Sequence, residues 1–342
     1  MPKVDFLKIS LVICTYQRAR SLESLLQSVR KQIHPTDEII IVDGSFDDET
    51  SKLIKENFAN EVLYYKVPPE ARGLTRQRNF GISKVAEKMD IVAFVDDDTV
   101  LEPDYFEKLE QTFRENPQVG GVGGVAINEN QWKKIDSSVS LGWDTYTWEG
   151  FYIKETLRNK IRKLVGLASP LPPFCMPNFS HVRASGYPLT GKFYEVDLLV
   201  GMSFAFRKKI TEKEKFSLYF DGYGLYEDAD YCIKALRHGK NVMDTSVQLS
   251  HFHHPSGRPN SYKYGKMVIR NGYYVWRLKF PKPGFSGVVK WHVTAGLLTL
   301  IRGTNAVTGP KRGEALREFF GRIAGWASLW FWNKPKPNNS TQ

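Results

Sequence analysis

The 342-residue sequence predicts a doubly wound α/β fold with a mostly parallel sheet, and three observations predict it. Short apolar runs alternate with helical periodicity over the first 126 residues. The runs are near-continuous in Val, Ile and Leu, as strands covered on both faces require. Polar or acidic residues follow three of these runs, at Thr15, Asp43 and Asp96. A β-α-β-α alternation joins parallel neighbours through crossover helices.

The elements follow in order. Ile9-Ser10-Leu11-Val12-Ile13-Cys14 is the first buried strand. Ser21 can cap a helix whose Leu22, Leu25, Leu26 and Val29 share one face. Residues 39–42 form the second strand and 47–58 the second helix; 62–65 form a third strand, followed by a helix over 74–86. Residues 91–95 are the fourth strand, and Pro103 opens the next helix, where its missing N–H is not needed. From 128 to 194 regularity fades into long loops and short helices. That stretch holds Trp132, Trp143, Trp148, Pro170, Pro172, Pro173 and Pro177, the character of a substrate-specific wall. Regular structure returns over 196–207 and in a helix over 228–238 closed by Gly239.

Hydrophobic residues make up 42% and charged residues 25%, which excludes wholesale disorder; only 334–342 reads as a disordered tail. The net charge of +11 calls for an anionic partner: nucleic acid, an anionic membrane face or a nucleotide diphosphate. Cys14, Cys175 and Cys232 form no Cys-x-x-Cys pair, so reduced thiols and a cytosolic setting are expected. The strand pattern begins within about ten residues, so no secretory leader is expected. No run reaches about 18 uninterrupted apolar residues, so no transmembrane helix is expected; 288–301 is broken by Lys290 and His292.

In doubly wound sheets ligands bind outside the carboxyl ends of the strands. Those ends carry Thr15-Tyr16-Gln17-Arg18, Asp43-Gly44-Ser45 and Asp96-Asp97-Asp98. Asp96 and Asp98 alternate along an extended segment, so they point the same way and can share Mg²⁺ or Mn²⁺ with diphosphate oxygens. The bland alternative is a solvated turn. Asp43 can accept the imide N–H of uracil or thymine, or the N–H groups of guanine, or it caps the helix near Asp47. Glu227-Asp228 offers a base for an acceptor hydroxyl, or a carboxylate favoured by a helix N-terminus. The cluster His251, His253, His254 can complete a mixed carboxylate–imidazole metal site. Gly120-Gly121-Val122-Gly123-Gly124 runs into a strand, not a helix, so the dinucleotide fingerprint fails.

Taken in order, these motifs resemble the family 2 inverting glycosyltransferases, whose fold is called GT-A. The resemblance runs through residues 10–18, 41–45, Gly73-Leu74-Thr75-Arg76-Gln77-Arg78-Asn79-Phe80-Gly81-Ile82, Phe94 to Asp98, Val200 to Arg207, Glu227 to Tyr231, Gly239 and His251. Many members read Asp-Asp-Gly-Ser where this chain has Asp43-Gly44-Ser45. The Asp228-to-His251 spacing is about one residue shorter than in common bacterial members, which keeps His253 in play. The resemblance implies a Rossmann-like, mostly parallel sheet flanked by helices; beyond the motifs, the residues themselves predict a C-terminal helical extension. Thr15, Tyr16 and Asp43 would hold base and ribose, with Arg18, Arg78, Asn79 and Asp97 completing the nucleotide-sugar set. Asp96 would sit near ribose and metal, Asp98 would ligate Mn²⁺ or Mg²⁺, and His251 would meet metal or diphosphate. Asp228 would be the general base of a single displacement from a UDP- or dTDP-sugar to a glycan or lipid-linked acceptor.

The expected organisation is a catalytic domain over 1–260, with a nucleotide-binding half (1–126) and an acceptor half (127–260), then a helical aromatic/basic extension (261–333). Two other classes compete. A sugar nucleotidyltransferase wants a glycine-rich loop after the first strand, which Cys14 to Arg20 lacks. A noncatalytic basic membrane- or nucleic-acid-binding module leaves the acidic edge unexplained, and no nucleic acid is expected. In the extension, Leu316, Phe319, Phe320, Ile323, Trp326, Ala327 and Trp330 recur at helical spacing among Arg312, Arg317 and Arg322, with Trp332 beyond. Residues 310–332 therefore read as an interfacial helix on an anionic membrane, or as a helix packed on protein. The first option places a cytosolic enzyme on the inner membrane face.

Overall fold

A computed structural model describes residues 6–253, 259–331 and 334–337; His254, Trp332 and the end of the expected tail (338–342) lie outside the described residues. Along the chain the strands are β1 (Ile9–Thr15), β2 (Glu38–Asp43), β3 (Leu63–Lys66), β4 (Ile91–Asp96), β5 (Thr99–Leu101), β6 (Val119–Ala126), β7 (Lys133–Lys134), β8 (Thr145–Trp148), β9 (Phe151–Lys154), β10 (Phe193–Val196), β11 (Ser203–Arg207) and β12 (Lys240–His251). The α-helices are α1 (Ala19–Arg30), α2 (Glu49–Asn57), α3 (Leu74–Ile82), α4 (Tyr105–Glu115), α5 (Leu157–Leu164), α6 (Lys208–Thr211), α7 (Glu227–Ala235), α8 (Ser261–Lys279), α9 (Phe285–Thr308) and α10 (Arg312–Phe331). The chain divides into two compact units, Met1–Asn130 with Leu189–Gly257, and Gln131–Pro188 with Arg258–Gln342. The expected acceptor half is thus split. Residues 189–257 belong with the nucleotide-binding half, while 131–188 group with the C-terminal helices.

The first unit is one sheet in the order β10-β12-β6-β11-β4-β1-β2-β3, with β5 paired to β12. Strands β3, β2, β1 and β4 are parallel, β11 runs antiparallel between β4 and β6, and β12 is parallel to β6. Register places Thr15 opposite Asp43 and Cys14 opposite Asp96, so three carboxyl ends meet at one edge. Leu11 and Ile13 of β1, and Ile91 and Ala93 of β4, are fully buried, which is why these strands read as unbroken apolar runs. Helix α1 buries the expected Leu22, Leu25, Leu26 and Val29. Helix α3 lies close over the sheet because Gly81 carries no side chain; a Cβ there would stand 2.4 Å from Val12 Cγ1. Helix α3 ends at Ile82, short of the expected 86. Ser83 there donates to the Phe80 carbonyl, and the Lys84 N–H turns back to Gly81. Strand β5, three residues long and directly following the triple Asp, carries no sequence signal of its own.

In the second unit β7, β9 and β8 form a small antiparallel sheet. Helix α8 begins at Asn260, whose side chain accepts from the Lys263 N–H at 2.9 Å. Helix α10 lies against α8 at backbone distance: a Cβ on Gly265 would stand 2.2 Å from the Glu318 carbonyl, and one on Gly321 2.0 Å from that of Tyr262. Helix α9 joins the same layer through Trp291, stacked on Trp276 at 5.4 Å and edge-on to Tyr273 at 5.2 Å. Gly296 and Gly303 of α9 face the rings of Trp326 and Phe319. The apolar face expected over 310–332 is therefore divided. Phe319 and Trp326 turn toward α9, where the Trp326 Nε1–H donates to His292 Nδ1 at 2.9 Å, while Leu316, Phe320, Ile323 and Trp330 are exposed. Val289, Val293, Leu300 and Val307 of α9 are exposed as well. No helix among the described residues is long and apolar enough to cross a membrane.

Candidate active site

The β1 exit turns sharply: Gln17 adopts φ 55, a left-handed conformation that non-glycine residues rarely take. Its N–H donates to Ser45 Oγ at 2.7 Å, and its Nε2 to Asp47 at 3.1 Å, bonds that offset the strain. Gln77 of α3 ties the two exits together by donating to the carbonyls of Thr15 (3.1 Å) and Val42 (2.9 Å). Asp43 is fully buried and accepts from the Ser45 N–H and the Tyr64 hydroxyl, each at 2.7 Å. Its carboxylate thereby shapes the loop after β2. Tyr16 is 40% exposed, and its ring stands edge-on to the exposed ring of Phe46 at 6.3 Å. Phe46 was not singled out from sequence; its one signal was a large aromatic among turn formers.

The three aspartates do different things. Asp97 is buried and turns back into the fold, accepting from Thr15 Oγ1 at 2.7 Å and Arg18 Nη1 at 2.9 Å. Burial pushes its carboxyl up to about 6, against the pull of Arg18 and Thr15. Asp96 and Asp98 point together, as alternation along a strand requires, and meet His251 at the end of β12. His251 Nε2 lies 3.3 Å from Asp98 Oδ1, and Nδ1 2.9 Å from Glu129 Oε1. Burial alone would lower this imidazole's pKa, but the hydrogen bond and charge of Asp98, with Asp96 and Glu129, raise it. Asn128 fixes the His251 backbone from both sides, at 2.8 and 3.0 Å. His253 instead reaches Glu129 at 2.8 Å and stands with Glu129 and His251 in a second, more exposed group.

The ligand atoms of Asp96, Asp98 and His251 all lie within 4.8 Å of one another. Two hard carboxylates and one imidazole fit Mn²⁺ or Mg²⁺ completed by diphosphate oxygens, and the set lacks the thiolates of structural zinc sites.

Arg78 is the hub on the other side. Only 3% exposed, its guanidinium pairs with Glu227 through Nη1, and through Nη2 with Asp96 at 3.3 Å and the Gly201 carbonyl at 3.0 Å. It also stands 4.8 Å over the Phe204 ring. Glu227 opens α7 after Tyr226, whose φ of 71 turns the chain so that Glu227 faces inward and Asp228 remains half-buried. Burial pushes the Glu227 carboxyl up to about 8, with Arg78 opposing and Asp228 adding to the rise. Asp228 accepts from Gly201 N–H at 3.1 Å and Ala229 N–H at 2.8 Å, and burial raises its pKa too. Asn79 faces elsewhere: its carboxamide exchanges two hydrogen bonds of 2.9 Å with the backbone of Phe216.

Residues 10–174 match the model of "Glycosyl transferase family 2". The chain carries a family 2 glycosyltransferase domain. A glucosyl-dolichyl phosphate glucuronosyltransferase from Haloferax volcanii is 32% identical over 125 residues, 35% of this chain and 39% of the relative. The putative glycosyltransferase EpsH of Bacillus subtilis is 33% identical over 156 residues, 45% of this chain and 44% of the relative. The chain thus spans about two fifths of the length of these curated relatives. In fold it is similar to the mannosyltransferase PcManGT of Pyrobaculum calidifontis, solved with GDP-Man and Mn²⁺ (TM-score 0.52, 14% identity, 96% of this chain and 88% of that one). It is also similar to GalNAc-T7, solved with UDP, GalNAc and Mn²⁺ (TM-score 0.54, 14% identity, 99% and 60%). The family 2 domain therefore has the GT-A architecture expected from its sequence.

Asp96 and Asp98, inside the matched residues, converge with His251 beyond them, and Arg78 joins Asp96 to Glu227 beside Asp228. Replacing Arg78 with Met leaves Glu227, Asp96 and the Gly201 carbonyl without their cation. Breaking a buried pair from one side lowers stability by about 3–5 kcal/mol, so urea unfolding is expected to show a loss of that size. Lys recovers only part, lacking the forked geometry that meets three acceptors. Unchanged stability in Arg78→Met would remove the hub.

Proposed function

We propose that the chain is an inverting glycosyltransferase, moving a sugar from a nucleotide-diphosphate sugar to a glycan or lipid-linked acceptor by a single metal-assisted displacement. One observation carries this reading: the hard-donor set Asp96, Asp98 and His251 is linked through Arg78 to the Glu227-Asp228 pair. Mn²⁺ or Mg²⁺, when bound there, supplies charge neutralisation for the departing diphosphate. Asp228, held by two backbone N–H groups, takes the proton of the acceptor hydroxyl as its oxygen attacks the anomeric carbon. The bond to the diphosphate breaks on the opposite face, so configuration inverts. Tyr16 and the neighbouring Phe46 offer ring faces to a base, while Thr15, Arg18 and Asp97 shape the floor beneath it.

UDP- or dTDP-sugars are the preferred donors; Asp43, buried on the Ser45 N–H and the Tyr64 hydroxyl, orders the β2-exit loop that would receive the base rather than bonding the imide N–H itself. The name of the Haloferax relative favours a lipid-linked acceptor, and the exposed apolar residues of 310–332 favour an enzyme at the cytoplasmic face of an anionic membrane. The test is a donor screen with Mn²⁺ or Mg²⁺, reading diphosphate release and the anomeric configuration of the product by NMR. Release from UDP- or dTDP-sugars with inversion is expected. Turnover of cytidine donors alone would overturn the donor choice, and a retained configuration would overturn the single displacement.

A further inference from the structure

Residues 259–331 carry twelve Lys and Arg against two Asp and Glu, a surplus of ten beside +11 for the whole chain. Helices α8 and α9 contain no acidic residue at all. On α9, Val289, Val293, Leu300 and Val307 are separated by four, seven and seven residues, which at 100° per residue keeps them within about 40° of one line. From Val289 to Val307 the exposed apolar line extends about 27 Å along this 24-residue helix. A helix on a water-facing surface normally shows the reverse pattern, with its polar side outward.

The α10 stripe lies on the same side of the pair. Helices α9 and α10 are antiparallel, as the facing of Gly296 with Trp326 and Gly303 with Phe319 requires. Helix α8 packs on both, on α9 through Trp276 against Trp291 and on α10 through Gly265 against Glu318. In each helix the exposed residues stand roughly opposite the ones α8 covers. Leu300 is 62% exposed and Phe320 52%. Two parallel apolar lines thus form the outer face of a two-helix layer. Lys290, Lys311, Arg312 and Arg317 are exposed on these helices and the turn between them.

We propose that this outer face of α9 and α10 is a platform that lies flat on an anionic lipid bilayer. The proposal deepens the membrane reading of 310–332 and rests on it for the class of partner; what it adds is α9 as an equal contact. Apolar side chains enter the acyl boundary, while the cations sit at headgroup level, where each Lys or Arg near an anionic surface adds to binding. A bilayer fits better than a second copy, because the surplus of ten positive charges repels itself across a two-fold contact and is neutralised by anionic lipid.

The test is flotation of the full chain with phosphatidylcholine vesicles containing phosphatidylglycerol, with light scattering in parallel for oligomeric state. The wild type is expected to float with anionic vesicles at low salt, and far less with phosphatidylcholine alone. The double variants Val293→Glu/Leu300→Glu and Phe320→Glu/Ile323→Glu alter exposed side chains, and circular dichroism verifies their fold. Each is expected to lower the bound fraction about tenfold or more, the factor that a single lost apolar burial already supplies. If only the α10 variant loses binding, the two-helix platform fails and the 310–332 reading stands. If the wild type does not float, both fail. If the wild type is a dimer that the α9 variant dissociates, the face belongs to a second copy and the proposal is overturned.

Discussion

Replacing Asp228 with Asn is expected to lower kcat by about 10²–10⁴-fold, the range for loss of a general base, while leaving donor KM nearly unchanged. Gly201 and Ala229 donate to separate oxygens of Asp228, so the isosteric amide keeps one of these two bonds through its single oxygen, and circular dichroism checks that α7 keeps its start. The pH profile gives an independent check. Burial raises the Asp228 pKa, so its conjugate base is lost as pH falls through a value above that of an ordinary aspartate. The acid limb of kcat is therefore expected at a higher pH than an ordinary aspartate gives, and it disappears in the Asn variant. An undiminished rate in Asp228→Asn would move the base to Glu227 or elsewhere.

Asp98→Asn is expected to lower kcat/KM by about 10²–10³-fold, as for loss of one electrostatic contact to the developing charge. Asp98 lies between Arg18 at 3.5 Å and His251 at 3.3 Å, so the neutral amide keeps the shape and removes the charge that a hard cation needs. Excess EDTA is expected to abolish turnover by the wild type and Mn²⁺ to restore it, whereas the variant needs far more metal for its residual rate. Full activity in EDTA, or in Asp98→Asn at the wild-type metal concentration, contradicts a metal role for this edge.

Much of the fold was legible because its signals are local. Unbroken apolar runs at Ile9, Ile39 and Ile91 mark strands covered on both faces, and the period of α1 marks its buried side. The pairing of Asp96 with Asp98 was legible for the same reason: alternate residues of a strand share a face. Helix ends were less so, since α3 stops at Ile82 through turn bonds that propensity does not encode.

What sequence alone determined, then, are the elements, their polar exits and the segment that carries nearly all the net charge. Tertiary structure decided which groups the exits share. It turned Asp97 inward onto Thr15 and Arg18, set Asn79 on Phe216, and seated Arg78 between Asp96 and a Glu227 lying 149 positions away. It also chose His251 over His253 as the companion of Asp98, because β12 ends beside β5 and delivers that residue opposite Thr99. The stripe of 310–332 was divided in the same way, Phe319 and Trp326 going to α9 because glycines there leave room. Periodicity fixes which residues of one element face together. Which element they face depends on close contacts between distant parts of the chain, and a missing side chain at Gly81, Gly265 or Gly303 decides those contacts as much as any residue that is present.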